Sequence, residues 1–112
     1  MKQAVEIKKR YRVNKMQEFN LLKYEREPIV IYGAGTFGEY TLLALRQQGI
    51  EPVCFCDKRK AGEIIQGVKV YSDKYILKIE NPVVLLAVGV ALKEVIEFFR
   101  KNGITNFFSI YQ

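Results

Sequence analysis

The stretch that most constrains this chain is IVIYGAGTFGEYTLLALRQQG, residues 29–49. A short, β-branched apolar run meets three glycines spaced G-x-G-x-x-G, and a helical pattern follows without a break. The order strand, glycine turn, helix is what gives such spacing structural meaning. Gly33 permits the tight turn, Gly35 leaves no Cβ above the backbone, and Gly38 lets the helix lie close to the strand. The turn has two readings. It is a phosphate-binding corner whose amides face a nucleotide, or only a tight strand-to-helix corner.

The rest of the chain continues the alternation. Residues 36–48 predict a helix that is apolar around much of its circumference, and so largely covered, with Gly49 as its stop. PVCFCD (52–57) predicts a second buried strand closed by an aspartate. KRKAGEIIQG reads as a loop and VKVYS (68–72) as a short third strand at an edge. Ser72 is a candidate cap for a short helix over 73–79. After Asn81-Pro82, VVLLAVG (83–89) is a continuous apolar run, the pattern of a central parallel strand. Residues 91–102 place Leu92, Val95, Ile96 and Phe99 at i, i+3, i+4 and i+7, with Lys93, Glu94, Glu97, Arg100 and Lys101 opposite. Asn102-Gly103 ends that helix, and NFFSIY (106–111) predicts a last strand.

Strands alternating with helices imply an α/β fold with a parallel sheet covered on both faces. The expectation is a Rossmann-like three-layer α/β/α domain with a parallel sheet of about five strands. Right-handed crossovers favour the spatial order 3-2-1-4-5. At 112 residues the chain is one domain by length. Its Rossmann-like part spans 28–112, after a basic leading segment over 1–27. There AVEIKKRYRV alternates as a half-buried strand would, while NKMQEFNLLKYERE reads as a short helix capped by Asn14.

In that topology the strand order reverses between the first and fourth strands, and a crevice opens at their carboxyl ends. Gly33, Ala34, Gly35, Thr36, Phe37 and Gly38 map to one side of it and Gly89 to the other. The amides from Gly35 to Phe37 begin the helix, where an anion is favoured. Asp57 closes the second strand 19 residues beyond Gly38. From there a carboxylate can accept hydrogen bonds from a ribose diol; the plainer reading is that it starts a solvated turn. Lys58-Arg59-Lys60 suit a 2′-phosphate or a diphosphate, or simply an exposed basic turn. Glu39, just after the third glycine, adds no attraction for phosphate. The ligand class expected is NAD(P) or a nucleotide-sugar.

Charge narrows the alternatives. The net charge is +6, from 18 basic and 12 acidic residues. The excess is concentrated in residues 1–27, which hold eight basic and four acidic side chains. The main body therefore lacks the footprint of a nucleic-acid face, and KKRYR (8–12) reads as solvated surface. Cys54 and Cys56 share one face of a strand and are poorly placed to bridge each other. They read as small buried apolar residues of a reducing compartment. With no histidine and no Cys/His cluster, a metal site has no basis. No signal peptide is visible, and the apolar runs fall far short of the roughly 20 residues of a membrane span. The expected location is the cytoplasm.

The segment IVIYGAGTFGEYTLLALRQQGIEPVCFCDKRKAGEIIQGVKVYS resembles the amino-terminal Rossmann-like domain of bacterial sugar acyltransferases of the sialic-acid O-acetyltransferase type. It is also similar to the nucleotide-binding domains of nucleoside-diphosphate-sugar dehydratases and epimerases of polysaccharide synthesis. The shared frame is strand-GAG-x-x-G-helix, a strand ending in F-x-D, a loop closing on G-V-x-V-Y, and a later strand ending in glycine. The resemblance implies a nucleotide-sugar held by Gly33, Gly35, Gly38 and Asp57, with Gly89 beside them. The chain departs from the acyltransferase pattern at Thr36-Phe37, where Gly-His is frequent, and at Glu39, where Lys is. Nothing in the 112 residues corresponds to the hexapeptide-repeat catalytic domain, so acyl transfer is not implied.

The residues show no catalytic constellation. Histidine, the commonest general base, is missing. Tyr71 and Lys74 stand three apart, but one ends a strand and the other lies in the next helix. The expectation is a nucleotide-binding module, part of a larger enzyme or assembly and paired with a second copy or a partner domain. The competing class is an interaction domain with the same fold and an empty crevice.

Overall fold

The computed structural model describes residues 26–89 and 91–109. The strand or helix expected over 1–25, and the end of the last expected strand, lie outside these residues. The sheet is built around β1 (Ile29–Tyr32), whose four side chains are all buried. It pairs in parallel with β2 (Cys54–Cys56) on one side and β5 (Val83–Leu86) on the other. β4 (Val68–Tyr71) lies outside β2, and β6 (Phe107–Ser109) outside β5, again in parallel. The three central strands are apolar at every position because both faces of a parallel sheet are covered.

Helix α1 (Thr36–Gln47) covers one face. Its Leu42, Ala44 and Leu45 pack with Ile29, Ile31, Phe55 and Leu85. The other face is covered by a 3-10 helix (Asp73–Lys78) and by α2 (Leu92–Lys101). There Ile76 and Phe99 pack over Val30, Cys54, Val84 and Leu86. Phe99 meets Tyr32 edge-on with ring centroids 5.0 Å apart and Phe107 at 5.5 Å. Full burial of such side chains stabilises by about 1.5–3 kcal/mol each.

Both helices end in the same way. Gly49 N–H donates to Arg46 and Ile50 N–H to Leu45; Gly103 N–H donates to Arg100 and Ile104 N–H to Phe99. This is the Schellman pattern, in which a glycine ends the helix and the next apolar residue packs back on the last turn. Ile50 and Ile104 are both buried, so each stop also aims the chain at its next strand.

Three details differ from the sequence expectation. The sheet has six strands rather than five: with Ile64–Ile65 as β3, the order is β3-β4-β2-β1-β5-β6. The added strand, β3 (Ile64–Ile65), falls in the segment read as a loop and pairs antiparallel with β4. It displaces Val68–Tyr71 from the edge. Its cause is Gln66-Gly67: both residues have positive φ, 52° and 83°, as a two-residue type I′ hairpin turn requires. Second, the segment after β4 forms a 3-10 helix, and Ser72 makes no side-chain cap bond to it. Third, α1 is not covered all round, since Tyr40 and Leu43 are each 49% exposed.

Candidate functional site

The three glycines of the turn have different reasons to be glycine. Gly33 follows β1 with φ +112°, and an added Cβ would lie 2.7 Å from the Ala87 carbonyl oxygen. Its N–H donates to Cys56 O at 2.8 Å, which keeps the turn flush with β2. At Gly38 an added Cβ would run into the Gly33 carbonyl and crowd the Phe55 ring. These two are requirements of packing. Gly35 has neither problem: φ is −88°, and an added Cβ would meet no atom within 4 Å. Its open side adjoins the start of α1, where the first N–H groups have no partner inside the helix.

Gly35, Thr36 and Phe37 line a crevice of about 540 Å³ with Gly33, Asp57, Lys58 and Gly89. Seven of the nine sequence-derived candidates therefore converge at the carboxyl ends of β1, β2 and β5. Ala34 and Gly38 are buried and do not line it. The Phe37 ring reaches across toward the opposite wall, where a Cβ at Gly89 would come within 3.2 Å of it. A side chain at Gly89 would press on the edge of that ring.

Asp57 is engaged by the backbone. Its Oδ2 accepts from Ala34 N–H at 2.8 Å, and its Oδ1 accepts from Arg59 N–H at 2.9 Å and Lys60 N–H at 3.1 Å. One carboxylate thus binds the glycine turn to the basic turn that follows β2. Asp57 starts the turn after β2 and lines the crevice. Arg59 also lines the crevice, whereas Lys60 does not.

The sequence reading passed over five further lining residues with chemical or packing consequence: Tyr32, Cys56, Asp73, Val88 and Val95. The signal for Asp73 was available, because it follows the end of β4 after one intervening residue, much as Asp57 closes β2. Burial, then the nearby Asp73, Cys56 and Asp57, push the Tyr32 hydroxyl up to about 12. The adjoining Cys54 thiol and burial, followed by Asp73, also raise Cys56 well above the ordinary thiol range. The floor of the crevice is therefore a neutral phenol and a neutral thiol. Both cysteines are free and buried.

A second hollow, of about 190 Å³, lies at the opposite end of the sheet between Ile76, Asn81, Pro82, Asn102 and Asn106. It has no charged side chain. Among the described residues no helix is long and apolar enough to cross a membrane.

The chain is similar to UDP-D-quinovosamine 4-dehydrogenase from Vibrio fischeri, as seen in its crystal structure. The two are 29% identical with a TM-score of 0.55, over 70% of this chain and 73% of that one. No protein-family model and no curated protein matches the chain. The α/β fold, with its mostly parallel sheet, is thus shared with an enzyme named for a UDP-sugar.

Proposed function

We propose that residues 28–112 form a nucleotide-binding module of nucleotide-sugar chemistry. The module holds NAD(P) or the nucleotide part of a sugar nucleotide at the carboxyl ends of β1, β2 and β5. The observation that carries this reading is Gly35. Packing accounts for Gly33 and Gly38 but leaves Gly35 with open space above its backbone, beside the start of helix α1. That is the surface a diphosphate needs. Likeness to a UDP-sugar dehydrogenase supports the ligand class, as does the resemblance to the nucleotide domains of sugar acyltransferases and dehydratases.

In this reading the N–H groups from Gly35 to Phe37 hold the diphosphate, and Lys58 meets its charge. Asp57 keeps the glycine turn in place through Ala34. The module works in the cytoplasm, where its thiols stay reduced, beside a larger enzyme domain or a second copy.

Thermal-shift and calorimetric titration with NAD, NADP, UDP-sugars and CoA test the proposal. A ligand at about a hundred times its Kd stabilises the fold by roughly 2.7 kcal/mol. Gly35→Val should abolish that response, because its side chain enters the phosphate space. The variant's own stability should fall by no more than about 1 kcal/mol, the scale of an N-cap change. If no nucleotide at millimolar concentration raises the melting temperature, the crevice is empty in function. The interaction-domain reading, which the exposed Tyr40 and Leu43 favour, then replaces this one.

A further inference from the structure

The outer side of α1 carries an apolar stripe. Tyr40 and Leu43 are each 49% exposed, and Phe37, on the same line nearer the glycine turn, is 39% exposed. Positions three apart are neighbours on a helix surface. Three large apolar side chains in line on a solvent-facing helix form a face built to be covered. The stripe meets the crevice at Phe37, which lines it.

Two observations point to the occupant. The first is where the chain enters. α1 runs back from the glycine turn to its stop at Gly49, and soon afterwards Val53 N–H donates to Ile29 O at the start of β1. The far end of α1 therefore lies at the end of the sheet where the leading segment joins β1 through Pro28. The second is the pattern of that segment. NKMQEFNLLKYE (14–25) reads as a helix with Met16, Phe19 and Leu22 on one side, the spacing of Phe37, Tyr40 and Leu43. Such a helix leads into β1 in the direction that α1 takes, so the two triplets come in the same order. The six residues from Leu22 to Pro28 span up to about 20 Å. That passes two packed layers at about 8–10 Å each.

We propose that residues 14–25 pack as a helix along the outer side of α1, with Met16 by Phe37, Phe19 by Tyr40 and Leu22 by Leu43. The leading segment then forms an outer wall at the rim of the crevice. A second copy of the chain fits the stripe less well. The exposed parts of the three side chains come to on the order of 300 Å², well under the roughly 800 Å² that each partner of a standard interface gives up. A segment of the same chain needs no such area, because its tether holds it at an effective concentration on the order of millimolar.

The chain has no tryptophan, so Phe19→Trp in the full chain introduces a single fluorophore that tests this. Its emission should be blue-shifted from that of tryptophan in water, resist quenching by acrylamide and stay the same on dilution. Adding Leu43→Lys, which puts a charge into the stripe at an exposed position, should move the emission to that of solvent-exposed tryptophan. A water-like emission with Leu43 intact overturns the proposal. So does an emission that Leu43→Lys leaves unchanged in a chain that circular dichroism shows to be folded. Emission that reddens on dilution gives the stripe to a second copy, as the interaction-domain reading requires, and overturns the proposal too. A cross-link reads the register independently of the lysine variant. Leu22→Cys with Leu43→Cys should close an intramolecular disulfide under mild oxidation, while Leu22→Cys with Lys93→Cys, on the opposite face of the sheet, should not. The native Cys54 and Cys56 are buried. Failure of the first pair to close, or closure of both pairs alike, overturns the packing.

Discussion

Tyr32 shows how a single side chain connects core and crevice. Its ring packs edge-on against Phe99, while its hydroxyl lies in the crevice beside Asp73 and Cys56. The proton is held more tightly in the folded chain, with a pKa of about 12 against the ordinary 10.0. The unfolded state therefore releases a proton near pH 10 that the native state keeps. This stabilisation is complete below pH 10 and is lost as pH rises toward 12. Two pH units correspond to roughly 2.7 kcal/mol. Denaturation midpoints measured from pH 8 to pH 12 should fall as pH rises, with the raised Cys56 thiol contributing in both proteins, and Tyr32→Phe should make the part of the fall above pH 10 shallower. The same slope in both proteins would mean that Tyr32 ionises freely. At this scale the glycine spacing was legible because Gly33 and Gly38 need space or a dihedral angle that other residues lack. The state of Asp57 was not. Which N–H groups a carboxylate accepts depends on the path of the turn after it, and DKRK does not encode that path in any periodic pattern.

Elements were legible where a face is buried continuously. β1 and β5 read as unbroken apolar runs, and α2 as one clean stripe ending at Gly103, because burial forces those periods. β3 escaped because two residues make no period, and Gln66-Gly67 is a weaker hairpin signal than Asn-Gly. The 3-10 helix read as an ordinary short helix, since Asp73, Ile76 and Ile79 fit either pitch. The α2 stripe makes a quantitative claim. Phe99 is fully buried and ringed by Tyr32, Phe98 and Phe107. Phe99→Ala should cost about 3–5 kcal/mol, the range for a large aromatic removed from a core. Urea denaturation measures it. A loss below 1 kcal/mol would show that α2 is not a structural wall of the crevice. Leu43→Ala on the exposed side of α1 should cost far less.

For the molecule as a whole, the order β4-β2-β1-β5-β6 brings three distant segments to one end of the sheet: the glycine turn, the Asp57 turn and the end of β5. None of the three is a site by itself. The first supplies the amides of a helix start, the second a carboxylate brace with basic side chains, and the third a glycine beside the Phe37 ring. The amides differ in their resting state. Gly33 N–H is bonded to Cys56 O, Ala34 N–H to Asp57, and Asp57 N–H to Tyr71 O. These three should exchange slowly with solvent hydrogen even without a ligand. The N–H groups of Thr36, Phe37 and Gly38 lie in the first turn of α1, at the edge of the crevice. A saturating nucleotide, ADP or UDP, should slow those three amides by about tenfold or more while leaving Ala34 nearly unchanged. Amides near Asn102, Gly103 and Asn106, around the uncharged hollow at the far end, should show no change. Hydrogen-exchange mass spectrometry with and without nucleotide reads both ends in one experiment. Protection at the far end alone would move the binding site away from the glycine turn, and the open space above Gly35 would need another explanation.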